Sequence, residues 1–293
     1  MTRKLKFSGH QTFCCRYGWL EKGYSFVKRS KTFTDEDAIV DLGVGKNMVA
    51  SIKYWCEMAQ VIENNQTTTF GDKLLDEENG WDPFLEDLAS WWLLHWKIIT
   101  NPICLTAGSV MFTQIRKPEF SKADLLESSL RSFDPNKKTP SDSILMRDID
   151  CYIRTYLSSQ NDRLSKKHGE AFECPFQELN LIQRMSEGEI YRFSIGTKLS
   201  IPAQLIGYVI ADYFGERRNA MVLQKLLYAP FSPGQIYMLD ENALIEALQT
   251  LMEHKEWGEA FGFTESAGIA QVYCELSSND ALKLLENYYQ GDF

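Results

Sequence analysis

The spacing of apolar residues predicts a mainly α-helical chain with a few short hairpins. A first helix is expected at about residues 18–29. A second begins at Thr34, a good N-cap residue, with Asp35, Glu36 and Asp37 in a first turn where the helix dipole favours acids. Ile39, Val40 and Leu42 supply its apolar stripe. Gly43 ends it, because glycine readily takes the left-handed conformation a tight turn needs. A third helix, about residues 46–59, carries Val49, Ile52, Trp55 and Cys56 at helical spacing. Val61 and Ile62 read as a strand, Asn64-Asn65-Gln66 as a turn, and residues 67–70 as the returning strand. Helix, glycine turn, helix and hairpin is the order of a winged helix, so residues 34–62 are expected to form a helix-turn-helix.

Gly80 and Pro83 then mark a loop. Residues 86–99 form an expected helix with Trp91, Trp92, Leu94, His95 and Trp96 on nearly every face, which predicts burial between units. Asn101-Pro102 ends it. A second unit starts at Ser121, the cap of a helix over 122–132. After a polar loop at 134–140, Pro140 and Ser141 open a long helix to about residue 157, with Ile144, Leu145, Ile149, Tyr152, Ile153 and Tyr156 facing inward. A polar loop follows at 158–170. Short strands at 183–185 and 190–194, joined through Gly188, repeat the helix-then-hairpin pattern. A third unit has helices near 202–214, 220–227, 241–254 and 279–289 and a strand at 269–276. The expected fold class is therefore mainly α. A winged-helix N-terminal unit with small β-hairpins occupies 1–118, followed by further helical, winged-helix-like units at 119–200 and 201–293.

Composition sharpens this picture in two places. The net charge of −9 over 293 residues argues against a protein that coats nucleic acid with its whole surface. Residues 1–31, however, carry eight basic side chains against one acid, Glu21, and so form a basic arm. The seven cysteines are odd in number and include no CxxC pair, which disfavours a disulfide framework or zinc knuckle. Cys56, Cys151 and Cys274 sit among apolar residues and read as small hydrophobes. The opening MTRKLKFSGH lacks the apolar run of a signal peptide. Residues 91–99 are too short, and too interrupted by His95 and Lys97, to span a bilayer. A reducing, cytoplasmic setting with no membrane partner is expected.

In a helix-turn-helix the second helix enters the major groove. With Val49 and Ile52 inward, Gly45, Lys46, Asn47, Ala50, Ser51 and Tyr54 are expected on the outer side. Asn47 suits an adenine edge, while Lys46 and Lys53 suit phosphate or guanine. Arg3, Lys4, Lys6 and Arg16 of the basic arm would hold phosphates. Against DNA contact, Asp35, Glu36, Asp37 and Asp41 would repel the backbone if they faced it, and the same geometry also serves to bind protein. Gly43-Val44-Gly45-Lys46 is no nucleotide loop: Val40 stands where the first glycine belongs, and Asn47 where Ser or Thr should bind magnesium.

Ser8-Gly9-His10-Gln11-Thr12-Phe13 is dense in hydrogen-bonding groups. His10 and Arg16 form a candidate site for a phosphate or a partner carboxylate. The alternative is a turn capped by Ser8 and Thr12 and anchored by Phe13 and Trp19. Asp82, Glu86, Asp87 and His95 could hold a divalent metal as nucleases do, although Glu86 and Asp87 are more simply helix-start acids and His95 a core histidine. His168 and His254 have no suitable neighbours in sequence. With no GxSxG, HExxH or paired Cys/His spacing, no catalytic residue, metal or cofactor is expected.

Several segments resemble a bacterial family known as domain of unknown function 4007. They are Phe7-Ser8-Gly9-His10-Gln11-Thr12-Phe13 with Arg16 and Trp19-Leu20-Glu21-Lys22, and the central block Leu42-Gly43-Val44-Gly45-Lys46-Asn47-Met48-Val49 with Ser51-Ile52 and Tyr54-Trp55. Trp81-Asp82-Pro83-Phe84-Leu85-Glu86-Asp87, Trp92-Leu93-Leu94-His95-Trp96, Asp148-Ile149-Asp150, Arg154-Thr155-Tyr156 and Cys174-Pro175-Phe176-Gln177-Glu178-Leu179 continue the likeness. Leu88-Ala89-Ser90 departs from the proline-containing turn of the third block. The resemblance implies company rather than chemistry: accessory proteins encoded beside phosphoadenosine-phosphosulfate-reductase-like proteins and DNA sulfur-modification or phage-defence systems. Three readings follow. The first is a non-catalytic DNA-binding accessory protein, the second an adaptor that binds proteins of such a system without touching DNA, and the third a metal-dependent nuclease.

Overall fold

The computed structural model describes residues 4–133, 139–157, 174–185, 189–216 and 220–291. Arg3, His168 and the loop expected at 158–170 lie outside the described residues, and Lys4 is described by its backbone alone. The chain forms two compact units, 1–194 and 195–293, so the boundary read at 118 falls inside the first of them. Small sheets accompany a mainly helical architecture.

The first unit opens with β1 (Lys4–Leu5), α1 (Trp19–Lys28), α2 (Ala38–Leu42) and α3 (Lys46–Met58). α1 buries Trp19, Leu20, Tyr24, Phe26 and Val27 on one face. α2 departs from expectation. Thr34 does not cap it, because the Asp35 carboxylate turns back to accept from the Thr32 amide (2.7 Å) and hydroxyl (2.6 Å). Such local bonds compete with helix formation, so the helix starts only at Ala38. Of the expected stripe only Leu42 is buried; Ile39 and Val40 are 43% and 78% exposed. Gly43, at φ 65°, ends α2 as expected.

β2 (Ile62–Glu63) and β3 (Gln66–Thr67) make the expected hairpin, turned by Asn64 and Asn65 at φ 50° and 57°, as a two-residue I′-type loop requires. The returning strand stops early. Thr68 instead caps α4 (Thr69–Leu75) by accepting from the Gly71 amide at 2.9 Å. α5 (Leu88–Thr100), capped by Asp87, buries Trp91, Trp92, Leu93, Leu94, His95 and Trp96, the all-round burial its pattern predicts. β4 (Cys104–Leu105) pairs in parallel with β1.

α6 (Ala107–Gln114) follows, then β5 (Glu119–Ser121), α7 (Lys122–Arg131), α8 (Asp142–Tyr156), β6 (Ile182–Arg184) and β7 (Ile190–Phe193). Ser121 closes a capping box with Asp124, the device its position predicts. α6, α7 and α8 pack on one another, and the antiparallel sheet runs β5-β7-β6.

The second unit comprises α9 (Ala203–Phe214), β8 (Ala220–Val222), α10 (Leu223–Tyr228), α11 (Pro233–Ile236), α12 (Glu241–Glu253), β9 (Phe261–Ser266), β10 (Ile269–Cys274) and α13 (Ser278–Gln290). α9 is its core helix, packed by α12 and α13. The helix read at 220–227 divides into β8 and α10, and the strand read at 269–276 has an unexpected partner in β9. The sheet runs β8-β10-β9. Each three-stranded sheet thus follows one connectivity: helix, strand, helices, then a hairpin whose last strand lies in the middle. No helix among the described residues is long and apolar enough to cross a membrane.

Candidate nucleic-acid interface

α3 begins after the left-handed Gly43, with Gly45 as an extended N-cap that offers no side-chain hydrogen bond and with no acid in its first turn. Lys46, Asn47 and Ala50 are exposed. Ser51 and Tyr54, expected beside them, are buried. The Ser51 hydroxyl donates to the His10 carbonyl at 3.0 Å, and the Tyr54 hydroxyl meets that of Tyr152 on α8 at 2.8 Å. Two non-local elements, segment 8–13 and α8, therefore cover what a lone helix would present. The outward surface of α3 contracts to its first turn and a half.

Three of the arm's basic side chains, Lys6, Lys28 and Lys31, pair with the chain's own carboxylates. Lys6 Nζ lies 2.8 Å from Glu57 Oε2 and 5.3 Å from the Tyr54 ring centroid, and Lys53 approaches the other oxygen of Glu57 at 3.8 Å. Lys28 pairs with Asp72 (2.8 Å) and Asp76 (3.3 Å), and Lys31 with Asp41 (2.5 Å). Arg16 stacks over Phe13 and Trp19 at 5.6 and 5.5 Å. Partly exposed pairs of this kind add little stability. They do lower the positive field the arm would otherwise offer to phosphate.

The 8–13 segment is a folded buttress. Ser8, Gln11 and Thr12 take positive φ (64°, 49° and 67°). The Ser8 amide donates to Asp148 Oδ1 at 2.8 Å, and Arg154 donates to the Thr12 carbonyl at 2.7 Å, tying the segment to α8. His10 is fully buried. Its Nδ1 accepts from the Thr12 amide at 3.0 Å, which places the ring proton on Nε2. Nε2 lies 3.3 Å from Asp148 Oδ1 but is not aligned for a hydrogen bond, so this contact is electrostatic. His10 and Arg16 do not assemble as a shared ligand site, since one is sealed from solvent and the other lies on aromatic rings. Asp148 was not among the candidate residues, although an acid inside the inward-facing run from Leu145 to Ile149 was its signal.

Gly9 is required by this packing. A β-carbon there would sit 2.3 Å from the Tyr54 ring, which is buried and held at its hydroxyl. Gly9→Ala is expected to lower folding stability by about 1–3 kcal/mol through overpacking, read as a shift in a urea unfolding midpoint. An unchanged midpoint would show that the ring yields freely.

The acidic group considered as a metal site is a helix start. Asp82 accepts from the Glu86 and Asp87 amides (2.9 and 3.0 Å) and the Ser90 hydroxyl (2.6 Å). Asp87 caps the Ala89 amide, and His95 Nδ1 meets the Tyr156 hydroxyl at 2.9 Å inside the core. No group of three or more His, Cys, Asp or Glu is placed to hold a metal among the described residues. Beside α1 and α2 lies an open groove of about 430 Å³ lined by Glu21, Lys22, Arg29, Asp41 and Glu77. Burial pushes the Glu21 carboxyl up to about 7, and its Oε2 is buried without a hydrogen-bond partner.

Two solved structures share this architecture. One is described as an SspB crystal structure, 28% identical, and the other as a magnesium ion-bound SspB crystal structure, 26% identical. Each superposes with a TM-score of 0.85 and covers 99% of this chain and 90% of its own. A comparison with curated proteins finds no match. The family described as protein of unknown function DUF4007 matches residues 7–289, nearly the whole length, and the chain belongs to that family.

Proposed function

We propose that this chain is a non-catalytic, DNA-contacting accessory protein of a DNA modification or phage-defence system, and that α3 makes the contact. The observation that carries the reading is the exposed start of α3: Lys46, Asn47 and Ala50 stand outward behind a glycine turn, on a helix whose first amides lack a side-chain cap. Such amides suit a phosphate. Asn47 has the paired donor and acceptor of an adenine reader, Lys46 reaches phosphate or guanine, and Ala50 fits a thymine methyl group. The repeated helix–strand–helices–hairpin connectivity supports a winged-helix reading, and family membership supports the setting.

The second unit has a different surface. Residues 195–293 hold 13 Asp and Glu against six Lys and Arg, and α12 exposes Glu241, Glu246 and Glu253. That face repels phosphate and suits a basic protein surface, so docking of partner proteins from the same system falls to this unit. Although one solved neighbour carries magnesium, Asp82 and Asp87 of this chain accept from helix-start amides, and no group of three or more His, Cys, Asp or Glu is placed to hold a metal among the described residues. No metal-dependent step is derived.

The test is fluorescence anisotropy on duplex DNA, with and without phosphorothioate linkages, over a salt series. Lys46→Ala/Asn47→Ala is expected to weaken binding by about tenfold or more and to reduce the slope of log affinity against log salt by about one. Wild-type affinity and slope in the double variant would remove α3 from the interface. Absence of binding by the wild type would leave the adaptor reading.

A further inference from the structure

We infer that Lys22 and Arg29 of α1 form a second phosphate-binding site, in the groove that ends at the Gly43 turn, and hold the backbone of the duplex that α3 contacts. The inference rests on the DNA-contacting reading of α3. Folding selects these two side chains from the basic arm. Lys6, Lys28 and Lys31 face carboxylates, and Arg16 lies on the Phe13 and Trp19 rings. Lys22 and Arg29 are exposed, and neither has a carboxylate at ion-pair distance among the described residues. Their charge is still available to a ligand.

Both side chains line the same open groove of about 430 Å³. They stand two helical turns apart on one face of α1, about 10 Å along its axis, with Ser25 between them. Arg29 Nε donates to the Ser25 carbonyl at 3.1 Å, which holds the guanidinium along α1 and leaves its terminal nitrogens for a ligand. Such a fork matches the oxygens of a phosphate. The facing wall is the end of α2, from Val40 to Gly43. A β-carbon on Gly43 would meet nothing within 4 Å, so the turn leaves that end of the groove open. Lys46, at the start of α3, follows three residues later. A sugar–phosphate backbone laid in the groove therefore lies beside the helix end proposed to contact DNA.

Three carboxylates share the groove, and their state decides its sign. Asp41 is paired with Lys31 at 2.5 Å. Glu21 has one oxygen buried, and burial raises its carboxyl to about 7, so part of its negative charge is withheld at neutral pH. Glu77 is exposed and has no cation at ion-pair distance among the described residues. With Asp41 offset, two cations stand against Glu77 and a partly protonated Glu21, which leaves the groove net positive. Asp35, Glu36 and Asp37, which would repel a backbone, precede α2 at its other end. Glu77 is then the one charge that works against a phosphate here without an offsetting partner.

The full-length protein is titrated into a fluorescein-labelled DNA duplex over a salt series and followed by anisotropy. Lys22→Ala/Arg29→Ala is expected to weaken binding about tenfold or more at low salt, and to reduce the slope of log affinity against log salt by about two, since each neutralised phosphate contributes roughly 0.9. Glu77→Gln is expected to tighten binding about threefold. Lys225→Ala/Lys255→Ala, which removes two exposed charges from the second unit, is expected to keep the wild-type slope. If Lys46→Ala/Asn47→Ala reduces the slope and Lys22→Ala/Arg29→Ala does not, the groove site falls and the α3 contact stands. An equal reduction in the Lys225/Lys255 control would assign the effect to net charge and overturn the site as well. The reverse result, a reduced slope for Lys22/Arg29 alone, would keep the groove and remove α3. A wild-type protein that binds no duplex overturns both.

Discussion

Asp148→Ala is expected to lower folding stability by about 1–3 kcal/mol, because it removes the acceptor of the Ser8 amide and the carboxylate that faces buried His10. Asp148 is fully buried on α8. It accepts the Ser8 amide at 2.8 Å and faces His10 Nε2 at 3.3 Å. Leaving one such donor unsatisfied costs roughly 1–3 kcal/mol, while His10 Nε2, which makes no hydrogen bond to Asp148, loses an electrostatic contact. The effect should spread, because the Ser8–Thr12 segment also accepts from Ser51 on α3 and from Arg154 on α8. Hydrogen exchange is therefore expected to rise in residues 8–13 and in the middle of α3. Asp148→Asn keeps an acceptor for Ser8, so about half the loss is expected to return. Coupling between Asp148→Ala and His10→Ala should reach roughly 1 kcal/mol or more, as for residues that share a buried contact. A loss below about 1 kcal/mol with unchanged exchange would mean that water satisfies the pair, and the buttress account of segment 8–13 would fall.

This buttress also marks the limit of what local sequence expresses. Ser121, Gly43 and the Asn64-Asn65 turn act within a few residues of themselves, and each sits where its chemistry predicts. Ser51 and Tyr54 were assigned outward by helical phase alone, and phase cannot see a loop from residue 10 or a tyrosine 98 positions away. The basic arm misleads for the same reason. Its partners Glu57, Asp72 and Asp41 are distant in sequence or on another helix, so a segment rich in positive charge loses part of its field once folded. Thr32 and Asp35 are a local signal of the opposite kind, a side-chain turn that competes with a helix cap three residues away or fewer. The Thr32–Asp35 turn won over a Thr34 cap, and the apolar stripe after it turned to solvent. β9 carries a weaker signal: Phe261 and Phe263 share a face, but the alternation stops at Thr264, and its second half is exposed. α6 carried its own cap, with Thr106 and Ser109 in a box, ahead of a run too uniformly apolar to show a face.

Glu21→Gln is expected to stabilise the protein by about 2–3 kcal/mol at pH 8 and to flatten its pH dependence. Burial is the main reason that the Glu21 carboxyl rises to about 7 from its usual 4.5, with Asp82 adding like-charge repulsion. The folded state therefore holds a proton across this window that the unfolded state has released. More protons bound in the folded form means that stability falls as pH rises. The decline begins near 4.5 and is complete once the pH has passed through about 7. Above that, the folded protein carries a charge on a carboxyl whose Oε2 has no hydrogen-bond partner. An amide has the same shape and no charge to desolvate, so the variant should match the wild type near pH 5 and exceed it at pH 8. Urea titrations of both proteins at the two pH values provide the measurement, with the slope against urea confirming that the same surface unfolds. If the variant loses stability between pH 5 and 8 as steeply as the wild type, the titrating group lies elsewhere and the groove beside α1 does not hold a protonated acid.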